Sequence, residues 1–142
     1  MRLRDYSTAK ERGQAIVLFA LLLPVMALFL VGILDYMVTN ARVMEVVAAA
    51  DLAAHAGAQE IVVLPDGMLA GLAEGQAVAG MYFNAQAPSG ASFLGASCGQ
   101  SQGGPSCQVW AQAISAGYLI PQRQIQISAT GYLAQGVTRG DQ

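Results

Sequence analysis

Between Gly13 and Leu34 the chain runs for 22 residues without a charged side chain. As a helix rising about 1.5 Å per residue, such a stretch reaches across roughly 30 Å, the hydrocarbon thickness of a bilayer. A soluble domain of this size has little room to bury a segment that is apolar on every side. The first expectation is therefore a membrane span over residues 13–34.

The charges around the span give it a direction. Before it stand Arg2, Arg4, Lys10 and Arg12 against Asp5 and Glu11, whereas after it come seven acids and only Arg42, Arg123 and Arg139. An excess of Lys and Arg marks the cytoplasmic flank. The expected arrangement is a cytoplasmic basic segment over 1–12, a single pass through the cytoplasmic (inner) membrane, and an extracytoplasmic C-terminal part. A cleaved secretory signal shares the basic start, but its apolar region is shorter, about 7–15 residues, and no A-x-A pattern directly follows Leu34. The uncleaved anchor is the better reading. Charged residues are only 11% of the whole chain and the net charge is −2, so there is no basic footprint for nucleic acid.

Within the span, Pro24 removes a backbone donor and crowds the carbonyl of Ala20, which predicts a helix kink. Beyond it, residues 35–60 are rich in alanine and hold no Gly or Pro before Gly57, so the helix is expected to continue out of the membrane. Asp35, Thr39 and Arg42 share one helical face, and Asp51, His55 and Gln59 lie nearly opposite. The apolar face thus turns along the helix, as it would if different heights were covered by different neighbours. His55 is the sole histidine, four residues after Asp51, and suits a local pair better than a metal site or catalysis.

Residues 61–142 are expected to form a small α+β domain. Pro65 and Asp66 break the long helix, and Gly67 to about Phe83 reads as a second helix whose Gly67, Gly71 and Gly75 favour close packing on a sheet or on the long helix. Residues 88–106, with ten Gly or Ser among nineteen, read as a loop. It holds Cys98 and is followed directly by Cys107, and the two are expected to form a disulfide on the oxidising side of the membrane. Strand patterns follow at 108–113 and 124–133, where Ile125, Ile127 and Ala129 alternate with polar residues. Pro121 and Gln122 would turn between them into an antiparallel pair, and a third strand is expected near Val137. Two strands alone are marginal, so the pair must lean on the helices.

From Arg12 to Glu60 the sequence resembles the TadE/TadG-like family, pseudopilin-like proteins of tight-adherence (Flp-type) pilus assembly. The matching parts are Arg12-Gly13-Gln14-Ala15, the run Phe19-Ala20-Leu21-Leu22-Leu23-Pro24, Asp35-Tyr36, and Ala50-Asp51-Leu52-Ala53-Ala54-His55-Ala56-Gly57-Ala58. The resemblance implies a membrane-anchored component of a pilus or related secretion assembly, a minor pilin-like or anchor protein built on a long helix and a small sheet. Its implied partners are membrane lipid, other pilus or secretion-assembly subunits, and further copies of itself. It also implies a prepilin-peptidase site, with cleavage after Gly13 and before Gln14. Many processed members carry a glutamate five residues beyond that glycine. This chain has Leu18 there, a departure that brings it nearer the TadG-like branch, whose members the resemblance casts as retained anchors.

Two other function classes compete with the structural one. An anchored extracellular binding or adhesion module would use the Gly/Ser stretch as its recognition loop. An enzyme would need more: the chain offers one His, no Cys/His cluster and no phosphate-cradling Gly-Lys-Ser/Thr turn. The expectation is a protein without catalytic residues, metal or cofactor.

Overall fold

The computed structural model describes residues 5–115, 117–119 and 121–133, with side chains from residue 14 onward. One helix, α1 (Asp5–Gln59), has 55 residues, and at 1.5 Å each extends for about 80 Å. Its helical course continues through Pro24 without interruption. After α1 come a two-residue hairpin, β1 (Val62–Val63) and β2 (Leu69–Ala70), then α2 (Leu72–Gln86), β3 (Ala91–Ser101), β4 (Gly104–Ser115) and β5 (Arg123–Tyr132). The last three form an antiparallel sheet in the order β3-β4-β5. This is the α+β arrangement expected from the sequence.

The core lies where the C-terminal part of α1 and the buried face of α2 cover one face of that sheet. From α1 it takes Val46, Ala49, Ala50, Ala53, Ala54 and Ala58, with Ile61 just beyond its end; from α2 it takes Ala79 and Phe83. The sheet contributes alternate residues of β4, Cys107, Val109, Ala111 and Ala113, together with Ile127 of β5 and Cys98 of β3. Alanine on α1 is the enabling choice, because small side chains let a helix and a sheet close on each other with little void. Phe83 is fully buried and stacks obliquely on Phe93, with ring centroids 5.7 Å apart. Burying such a side chain contributes about 1.5–3 kcal/mol.

The paired strands expected at 108–113 and 124–133 correspond to β4 and to β5, which ends one residue short at Tyr132, in antiparallel register with Ala111 opposite Ile127. Two expectations need correction. The stretch 88–106 is not a loop: it holds all of β3, a tight turn and the start of β4. Its alternation is hidden by a bulge between Phe93 and Gly95, so that Phe93 before it and Ala96 and Cys98 after it face the helices although their parity differs. The second helix begins at Leu72, not at Gly67. Gly67 and Gly71 both have positive φ, at 82° and 76°: Gly67 lies in the turn between β1 and β2, and Gly71 leads from β2 into α2. Residue 137, where a third strand was expected, lies outside the described residues; the third strand of this sheet is β3.

Candidate membrane anchor and assembly helix

Among the described residues, nothing packs against α1 from Gln14 to Leu30. Leu18 is 61% exposed, Phe19 73% and Leu28 65%, and the most apolar window of the helix, with a mean hydropathy of 3.0, is 0% buried. Exposed apolar patches on soluble monomers rarely exceed a few hundred Å². A bare helix of this kind needs lipid or other helices around it. Among the described residues it is the single helix long and apolar enough to cross a membrane.

At the outer end of the apolar run the helix acquires its first anchoring contact. Asp35 is buried, and its carboxylate accepts hydrogen bonds from two backbone N–H groups of the β4–β5 connection, Tyr118 at 2.7 Å and Leu119 at 2.9 Å. Bonds to a charged acceptor contribute about 1.5–3 kcal/mol each. Gly117 makes the approach feasible, since a Cβ there would come to 2.6 Å from Asp35 Oδ1. The Asp35, Thr39 and Arg42 face is therefore turned toward the domain: Asp35 holds the loop, Thr39 is half-buried, and Arg42 lines a groove between helix and loop. That groove, of about 520 Å³, is otherwise lined by Val31, Leu34, Val38, Gly117 and Tyr118. The sequence marks Asp35 as the first charge past the span, but nothing local connects it to residues 83 positions away.

Higher up, α1 meets α2 at two glycines. A Cβ on Gly57 would lie 2.6 Å from the carbonyl oxygen of Gly75, and a Cβ on Gly75 would lie 2.6 Å from that of Gly57. The glycine spacing noted in the sequence therefore serves helix packing, but through Gly75 alone. Beneath the crossing lies the expected disulfide: Cys98 and Cys107 sit opposite each other on β3 and β4, joined at 2.04 Å. Both are buried, with Cys107 Sγ 3.0 Å from the Gly57 Cβ position. The bridge thus ties the edge strand to the central one directly under the helix crossing.

His55 pairs locally, its Nδ1 donating to the backbone carbonyl of Asp51 at 2.9 Å and lying 3.6 Å from that residue's carboxylate. Both side chains are exposed, on the face opposite Asp35 as the periodicity required. Among the described residues no three His, Cys, Asp or Glu gather as a metal site would need. Gly13 and Gln14 fall within α1, with Gln14 exposed, and Leu18 follows one turn above Gln14 on the uncovered part of the helix.

Residues 13–60 match the family model described as putative Flp pilus-assembly TadE/G-like. This segment is similar to the TadE/G-like family. It covers about a third of the 142 residues, and in the fold it is one continuous piece: the bare apolar helix, the Asp35 latch and the alanine-rich face that packs on the sheet. The TadE/G-like segment thus carries both the membrane-compatible length and the helical half of the domain core. No curated protein and no solved structure matches the chain.

Proposed function

We propose that the protein is a membrane-anchored structural component of a Flp-type pilus or related secretion assembly, held as an anchor or minor pilin-like subunit and working through protein contacts without catalysis. The observation that carries this reading is the TadE/G-like segment coinciding with a helix whose lower part is uncovered and whose upper part is built into a small domain. Such a helix can exchange lipid for the helices of other subunits. The basic flank before the span supports a cytoplasmic N-terminus with the domain on the far side of the membrane. The rival reading, an anchored binding module, relied on a Gly/Ser recognition loop, and those residues are largely strand β3 and its turn.

Leu18 separates the anchor or minor role from that of a shaft subunit. Cleavage after Gly13 would create a new N-terminal amine at Gln14, and in pilin-like filaments the glutamate five residues beyond the cut answers that charge in a neighbouring subunit. A charge buried without its partner costs several kcal/mol. With an apolar Leu18, exposed on the bare helix, a cut chain offers no carboxylate at this position to the next. The protein should therefore remain uncut, or occupy a terminal or scarce position. Purified pili analysed by mass spectrometry test this: the chain should be absent from the shaft or far below the major subunit. A shaft made mainly of this chain would refute the assignment.

A further inference from the structure

The β4–β5 loop has a geometry that the assembly role does not use. Its backbone is fixed to Asp35, the residue immediately after the last apolar residue of the span, so the loop tip is held within a helical turn of the hydrocarbon boundary. At that height the loop turns Tyr118 outward with 99% of its surface exposed and Leu119 with 58%, while Tyr36 beside the latch is 64% exposed. Tyrosine has an apolar ring and a polar tip, the combination enriched where hydrocarbon meets head-groups. Behind the tip runs the groove whose floor, Val31 and Leu34, belongs to the span itself, and whose upper wall carries Arg42. The apolar floor is thus continuous with the lipid-facing surface of the helix.

We propose that this loop is a second membrane attachment point, seated in the interface of the leaflet on the domain's side, with a phospholipid of that leaflet in the groove. Its acyl chain lies along Val31, Leu34 and Val38, and its phosphate faces the Arg42 guanidinium. Three features favour lipid over a second copy of the chain. The groove opens onto the span, its cation matches a phosphate, and the Asp35 carboxylate is already engaged by loop amides. The head-group region adds about 5–7 Å to each side of the hydrocarbon core, which brings the latch and the loop tip within it. A domain held at two points has its tilt against the membrane fixed, whereas a single helix is free to tilt in the bilayer.

This inference rests on the span reading, and the test separates the two. The full chain carrying Trp110→Phe is reconstituted at one copy per phospholipid nanodisc, with a single tryptophan placed either by Tyr118→Trp or, in mid-span, by Leu23→Trp. Lipids brominated near the head-group or near the chain end then quench it. The expected result is blue-shifted emission from position 118, quenched more by the shallow bromines, and emission from position 23 quenched more by the deep ones. Water-like, unquenched emission at 118 beside deep quenching at 23 overturns the attachment and leaves the anchor standing. No quenching at 23 overturns both. A blue shift at 118 only in discs holding two copies assigns the loop to self-association and also overturns the proposal.

Discussion

Replacing Gly57 by alanine tests whether the close crossing of α1 and α2 holds the domain together. The new methyl would meet the Gly75 carbonyl oxygen at 2.6 Å, about 0.8 Å short of the 3.4 Å at which ordinary van der Waals contact begins, and Ala79 Cβ and Cys107 Sγ at 3.0 Å. None of these neighbours is a flexible side-chain end. Two are fixed by helix backbone and the third by the disulfide, so the helices must separate. Overpacking of this kind costs about 1–3 kcal/mol, more where backbone must move. Against it stands the intrinsic gain of alanine over glycine in a helix, about 1 kcal/mol. Because backbone must move, the steric cost lies at the upper end of that range, about 2–3 kcal/mol, and the net destabilisation should be about 1–2 kcal/mol. For a domain of about 80–100 residues that lowers the midpoint by roughly 5–15 °C. The assay is thermal unfolding of the full chain in detergent, followed by near-ultraviolet circular dichroism from the domain's aromatic residues. Gly99→Ala is the control, since a Cβ there meets nothing within 4 Å. Gly75→Ala should behave like Gly57→Ala, and the double variant should lose less than the sum, because helices already parted accommodate the second methyl. A Gly57→Ala protein that melts at or above the wild type would refute the reasoning.

Mass spectrometry of unreduced peptides from the native envelope should find Cys98 joined to Cys107, and two free thiols would contradict the structure's pairing. Closing a ring of about ten residues restricts the unfolded chain by roughly 2.5–3 kcal/mol, so Cys98→Ser with Cys107→Ser should lower the domain's midpoint while leaving membrane insertion intact. A reporter active only in the cytoplasm and fused after Gln142 should be silent, because the basic flank retains the N-terminus inside; strong activity would reverse the orientation.

The long apolar helix, its continuation to about residue 60 and the two long C-terminal strands were legible because each rests on local periodicity or composition: a charge-free run, an alanine-rich stretch without breakers, an alternation of Ile with Gln and Ser. Burial of one face writes such patterns directly into the order of residues. Strand β3 escaped that logic. Its Gly and Ser residues carry a loop's composition, and the bulge at Leu94 shifts the inward parity halfway along, so no single period runs through it. What makes it a strand is the partner: β4 supplies the hydrogen bonds, and the Cys98–Cys107 bridge fixes their register. The site divides in the same way. The sequence alone determined that a long apolar helix leads into a small α+β domain, and that Gly13 and the alanine-rich run resemble pilus-assembly proteins while Leu18 departs from them. Only the tertiary structure decided that Asp35 holds the backbone of Tyr118 and Leu119, that Gly57 meets Gly75, and that a groove opens between helix and loop. Those contacts join positions far apart in the chain, and their energies depend on distances of a few tenths of an ångström that no local pattern encodes.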